Sequence, residues 1–244
     1  AVYWPIMLKA SNLPLPARIL AHGWWTSSGA KMSKSTGETV DPLSLAERYG
    51  SDPFRYFVMR EMTVGNDAEF SLERFESRYR ADLGNDLGNL VSRLLHMSAT
   101  YEEGVTPEVG LNEGPEKKIG LLWESTKEEA LKFFLEYQFS QGLEKVFSFI
   151  RGINKYADER TPWKLAKSEA PEDRQALRTC LGTMIEALRL ANALLAPVMP
   201  SVHASINDRL GLEPCCSWKE DLSWDHRLSG KKLGEKTILF PREV

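Results

Sequence analysis

Six large apolar side chains, Phe75, Tyr79, Leu83, Leu87, Leu90 and Leu94, recur at intervals of four, four, four, three and four residues. That spacing lines one face of a helix and excludes a half-buried strand, whose alternation has period two. It predicts one long amphipathic helix over residues 71–101. Helical patterns follow over 116–136 (Leu121, Leu122, Ala130, Leu131, Phe133, Phe134, Leu135), over 139–158 (Leu143, Val146, Phe147, Ile150, Ile153, Asn154, Ala157) and over 172–195 (Leu177, Leu181, Met184, Ile185, Leu188, Ala191, Leu195). A short helix opens at Thr161-Pro162. Five helices in series, each with an apolar face that must be covered, describe an α-helical bundle. The last helix stops before Pro197 and Pro200, and the tail bearing Trp218, Trp224, Lys231, Lys232, Leu239 and Phe240 is expected to pack back on the bundle.

The first 70 residues read differently. Val2, Tyr3, Ile6, Met7, Lys9 and Ala10 form a helical segment that ends before Asn12, and a strand is expected from about Arg18 to Trp25. One helix and one strand cannot complete a doubly wound sheet. This part therefore exposes apolar surface unless other chain covers it. Two short helices follow, with Asp41 and Asp52 as expected caps, Pro42 and Pro53 at the first helical positions, and Gly50 as a stop. Seven arginines lie between residues 48 and 93: Arg48, Arg55, Arg60, Arg74, Arg78, Arg80 and Arg93. Acidic residues are interspersed, so most are expected on a mixed solvated face and a minority on phosphate.

Within the first 70 residues, between the expected strand and the two short helices, lies Lys31-Met32-Ser33-Lys34-Ser35, bordered by Gly29 and Gly37. Two ammonium groups three residues apart on such a loop suit a triphosphate, because lysine is a flexible point charge that can follow charge developing in a transition state. A solvated basic turn is the plain alternative.

The net charge of −3 does not itself suggest nucleic acid, but phosphate responds to local field and not to the sum. No stretch approaches the roughly 18 apolar residues of a membrane span. Of the three cysteines, Cys215 and Cys216 are adjacent and lack the gap with which a pair grips zinc, while Cys180 sits in an apolar helical pattern. No zinc or other metal site is expected, and the cysteine usage fits a reducing cytoplasm.

Taken with its flanks, the lysine loop resembles the KMSKS signature of class I aminoacyl-tRNA synthetases. Ala21-His22-Gly23-Trp24-Trp25 before it, and Tyr49 to Phe57 after it, are similar to methionyl-tRNA synthetases of bacterial type. So are Asn85 to Arg93, Asp158 to Lys167, Leu195 to Pro200, and Leu239-Phe240-Pro241-Arg242. The resemblance implies a remnant of a Rossmann-type α/β catalytic domain with a stem-contact segment (residues 1–70), then a helical anticodon-binding domain with its tail (residues 71–244). It implies ATP with Mg²⁺ as the whole enzyme's reactants, tRNA(Met) as partner, and a cytoplasmic role in protein biosynthesis. No His-Ile-Gly-His-type string and no cysteine knuckle occur in this sequence. The chain therefore reads as a C-terminal half, inactive alone and completed by an N-terminal half or a complementary chain. A stand-alone, non-catalytic tRNA-binding module is the alternative.

The resemblance carries site roles by position. Lys31 and Lys34 become catalytic, stabilising pyrophosphate, and His22, Gly23 and Trp25 join them around ATP. Asn89 and Arg93, one helical turn apart, become base readers on the anticodon. On pattern alone, the favoured reading of that pair is structural, with Asn89 bonding a neighbouring helix and Arg93 meeting a carboxylate; the resemblance reverses it. Trp163, pinned after Pro162 among Asp158, Glu159, Arg160, Lys164 and Lys167, becomes a stacking platform for an anticodon base, with a core tryptophan as the alternative.

Overall fold

The computed structural model describes residues 2–27, 30–31, 41–109, 114–213, 218–236 and 238–241. The chain is mainly helical. Helix α1 (Tyr3–Ala10) precedes strands β1 (Trp25–Ser27) and β2 (Ala30–Lys31), helices α2 (Pro42–Tyr49) and α3 (Ser51–Glu61), and strand β3 (Ala68–Glu69). A continuous helical rod follows: α4 (Leu72–Arg78), a π-helical segment (Tyr79–Gly88) and α5 (Asn89–Tyr101). The remainder comprises α6 (Pro115–Leu135), α7 (Phe139–Arg160), α8 (Pro162–Leu165), α9 (Pro171–Leu195), α10 (Pro200–Leu210) and α11 (Trp218–Asp221).

The strand expected over 18–25 is displaced. β1 begins at Trp25, where β3 becomes available as a parallel neighbour (Trp25 beside Ala68) and β2 as an antiparallel one (Thr26 beside Lys31). A strand needs a ladder partner for its backbone groups, and β3, too short for its composition to betray, is what supplies one. Gly23 lies directly against the β3 approach: a Cβ there would sit 2.0 Å from the Asn66 carbonyl oxygen, so no larger residue fits. The apolar side chains before the sheet are exposed, Tyr3 at 82%, Trp4 at 63% and Trp24 at 60%, and α1 buries none of its residues. The cover they lack is not supplied by the described part of this chain.

The predicted rod over 71–101 is present, and all six members of its stripe are buried. Its middle turns are wider than α. The Asn89 N–H reaches back five residues to the Gly84 carbonyl. A repeat of every fourth residue drifts by about 40° per step around a 3.6-residue turn. Wider turns hold Tyr79, Leu83 and Leu87 closer to one face.

Around this rod the bundle closes as expected, with α9 at its centre, where every residue from Thr179 to Leu195 is buried. Cys180 is fully enclosed and burial pushes its thiol up to about 12, so it is packing and not a reactive group. On α6 the pattern misassigned the inner face. Leu121 and Leu135 are 63% and 74% exposed, while Ile119, Trp123 and Ala130 face the core. Too many apolar residues lie on α6 for its sequence to choose a face, and α7 chooses it. The tail packs back as predicted: the Trp218 Nε1–H donates to the Ala193 carbonyl at 2.8 Å, and Phe240 is buried.

Two assignments near prolines change. Pro200, read as a terminator, is the first residue of α10. Asp52, read as the cap of its own helix, lies inside the first turn of α3, whose N-cap is Gly50. Its carboxylate instead accepts the Val202 N–H at 2.7 Å, capping α10 from 150 residues away. Beside it Arg55 donates to the Val198 and Pro197 carbonyls, both at 2.9 Å. One residue pair thus binds α3 to both free helix ends at the α9–α10 corner.

Candidate nucleic-acid interface

The π-helical segment and α5 carry the polar side of the rod past α7, and there the sequence-predicted pair comes together. Asn89 and Arg93 line one open groove of about 580 Å³, with Asn85, Asp86, Ser92, His96, Asn154, Asp158 and Lys236. A second groove of about 880 Å³ continues from it past Asn85, Asn89, Ser92 and Lys236 to Tyr79, Arg80, Gly84 and the tail residues Ile238 to Pro241. The leucines of the same helix are buried beneath, so the polar edge stands on a fixed base.

Arg93 is positioned from two sides. Its Nη2 donates to the Asn154 Oδ1 at 3.0 Å and its Nη1 to the Asp158 Oδ1 at 3.3 Å. Asn154 is itself oriented, because its Nδ2 donates to the Asp86 carbonyl at 3.1 Å, which turns its oxygen toward Arg93. Arg93 therefore does meet a carboxylate, as the pattern alone allows. Its side chain remains 33% exposed, however, and two contacts leave donors of its five N–H groups open. The Asn89 side chain is exposed and makes no hydrogen bond among the described residues. Asp86 is raised above the usual carboxylate range by burial, which outweighs the opposing pull of Arg151 at 3.5 Å.

Trp163 lies outside both groove linings, on α8 just beyond the α7 end that carries Asp158. It is half-buried, and its ring makes no aromatic contact among the described residues. Thr161 does occupy the N-cap position, but in the left-handed region (φ 45°) and with no side-chain cap bond. The same residue ends α7, so one strained corner fixes both helices. This places Trp163 at a helix start as predicted, by backbone geometry and not by a threonine cap.

Of the residues expected around ATP, His22, Gly23 and Trp25 lie among the described residues. His22 is exposed, with Nδ1 2.7 Å from the Gly23 carbonyl oxygen. Trp25 stacks on Phe57 at 6.0 Å and meets Phe70 edge-on at 6.3 Å, joining a small core with Leu45 and Phe75. Lys31 ends β2, while its side chain and the whole of Lys34 lie outside the described residues, as do Cys215 and Cys216. Among the described residues no group of three His, Cys, Asp or Glu could hold a metal ion, and no helix is long and apolar enough to cross a membrane.

The arginines between 48 and 93 follow the mixed-face expectation. Arg74 and Arg78 both pair with Glu61, at 2.8 and 2.6 Å, Arg60 pairs with Glu144, and Arg80 pairs with Glu76 at 3.5 Å. Groove residues the sequence did not single out are Asn85, Ser92, Asn154 and Lys236. Asn154 stood within the apolar repeat of α7, and a polar residue on that repeat was the available signal.

Comparison with known proteins gives consistent matches. A family model described as tRNA synthetases class I (M) matches residues 1–95. A methionine–tRNA ligase of Fusobacterium nucleatum is 37% identical over 99% of this chain and 38% of its own length. One of Streptomyces coelicolor is 37% identical over 99% of this chain and 46% of its own. A crystal structure of free Mycobacterium tuberculosis methionyl-tRNA synthetase superposes with a TM-score of 0.86 at 33% identity, covering 100% of this chain and 47% of that one. The same protein in complex with methionyl-adenylate gives a TM-score of 0.89 at 36% identity over 98% of this chain. The chain thus spans less than half the length of these relatives.

Proposed function

The chain belongs to the methionyl-tRNA synthetase family of class I tRNA synthetases, and from that premise we propose that it is the part of a methionine–tRNA ligase that recognises the anticodon of tRNA(Met) and contributes the lysine loop to methionine activation. The observation that carries the RNA reading is the groove in which Asn89 and Arg93 stand together on a buried leucine base. An amide and a guanidinium held side by side can pair with the edge of an unstacked base, and a half-exposed indole can stack on one. The held guanidinium keeps its remaining donors in one orientation, which favours reading a base edge over trailing a phosphate.

In the complete ligase, Lys31 and Lys34 would hold the leaving pyrophosphate as ATP, with Mg²⁺, converts methionine to its adenylate, and the exposed apolar surface of residues 2–24 would be covered. This chain encodes no His-Ile-Gly-His-type string, so by itself it forms no adenylate.

The test is binding of anticodon stem-loops to the 244-residue chain. Trp163→Ala should weaken a CAU loop by about 1–3 kcal/mol. Asn89→Ala and Arg93→Ala should each lower discrimination against altered anticodons by about 1–3 kcal/mol. Uniform weakening of every anticodon would reduce the pair to backbone contacts. Loss of melting temperature without a selective RNA effect would return Trp163 to the core.

A further inference from the structure

The tail borders the groove in a way the anticodon reading leaves unused. Two anchors hold it. At one, Leu233 N–H donates to the Gly104 carbonyl at 2.7 Å and Gly234 N–H to the Arg209 carbonyl at 2.7 Å. At the other, the Phe240 ring stands at 90° to Tyr79, 6.0 Å between centroids, and the Tyr79 hydroxyl donates to the Pro241 carbonyl at 3.0 Å. Gly88 makes the second anchor feasible: a Cβ there would lie 3.1 Å from the Phe240 ring and 3.1 Å from the Leu83 carbonyl oxygen. Between the anchors, Lys236 lines both grooves and is exposed.

Its charge is uncommitted. Asp158 is engaged by Arg93, Asp86 by Arg151, and Glu76 by Arg80, whereas Lys236 has no ion pair or hydrogen bond among the described residues. A lysine held on an anchored strap beside two exposed amides, Asn85 and Asn89, is suited to a backbone phosphate and offers no fork for a base. We propose that the tail is one wall of the RNA site, with Lys236 contacting a phosphate of the single strand whose bases reach Asn89 and Arg93. This deepens the anticodon reading and rests on it.

Release of counterions from one phosphate of a single strand changes the slope of log K against log salt by about 0.7, which is about five-fold in affinity at 0.1 M salt and nothing on extrapolation to 1 M. The experiment measures binding of CAU and altered anticodon stem-loops to the full chain from 50 to 400 mM KCl (roughly the range over which such slopes are read), for the native sequence, Lys236→Ala, Lys236→Arg and Arg93→Ala. The expected result is that Lys236→Ala loses about five-fold at 0.1 M and about 0.7 of slope for every anticodon alike. The CAU preference and the melting temperature should stay put, and Lys236→Arg should restore binding. An unchanged slope and affinity in Lys236→Ala, while Arg93→Ala still loses CAU preference, overturns the tail contact and leaves the anticodon reading standing. A native chain that binds no stem-loop overturns both.

Discussion

Replacing Asp52 by alanine tests how the two parts of the chain are joined. Asp52 is 3% exposed, and its Oδ2 receives the Val202 N–H at 2.7 Å. Val202 is the third residue of α10, whose first residue, Pro200, brings no N–H. The His203 N–H already reaches the Met199 carbonyl at 2.8 Å. The part-buried donor left by the substitution is therefore that of Val202. A hydrogen bond to a charged group contributes roughly 1.5–3 kcal/mol, and a negative charge at a helix N-terminus a further 0.3–1 kcal/mol or so. Against this, the Asp52 Oδ1 is buried without a partner, a cost the native chain bears and the variant loses. The balance is about 2 kcal/mol. For a chain of this size, 1 kcal/mol moves the melting temperature by roughly 2–4 °C, so Asp52→Ala should melt about 4–8 °C lower. The assay is urea and thermal unfolding of Asp52→Ala, Arg55→Ala and the double variant. Because both side chains hold the same corner, their effects should be non-additive by at least about 0.5 kcal/mol. If Asp52→Ala lies within 0.5 kcal/mol or so of the native chain, the view of this residue as the cap of α10 is refuted.

Lys31→Ala or Lys34→Ala, measured in a ligase completed by its remaining part, should slow adenylate formation by roughly 10²–10³ with a smaller effect on methionine affinity, and a loss confined to ground-state ATP binding would make them binding residues only. Pyrophosphate exchange by the 244-residue chain alone would contradict the proposal that it forms no adenylate by itself. Stability should also fall in mild acid. Burial lowers the pKa of both His203 and His226, and their partners need the neutral ring. His203 Nε2 faces the Asn207 amide nitrogen at 3.1 Å, and His226 Nε2 accepts from Trp224 at 2.9 Å. Below the ordinary histidine value near 6.5 the unfolded chain binds more protons. Stability should therefore be level above about pH 6.5 and decline below it, by no more than about 1.4 kcal/mol per pH unit per group. A curve that stays flat or rises between roughly pH 6.5 and 5 would exclude this.

The helical bundle was legible in the sequence because burial imposes a period on each helix. The stripe from Phe75 to Leu94 and the run from Leu177 to Leu195 are buried where their spacing put them. Asn89 and Arg93 were legible too, since residues four apart on one helix stay neighbours in any tertiary setting. Other features depend on elements remote in sequence, and no local pattern could carry them. Whether Leu121 or Trp123 faced inward waited on α7, and whether residues 18–27 formed a strand waited on β3. The partner of the Asp52 carboxylate came from a helix 150 residues away. The groove is of the same kind. Its amide and guanidinium were written on one helix, but Asn154, Asp158 and Lys236 came from α7 and the tail. Periodicity records which face of a helix leaves water, and only the assembled chain decides what that face, and the polar edge beside it, will meet.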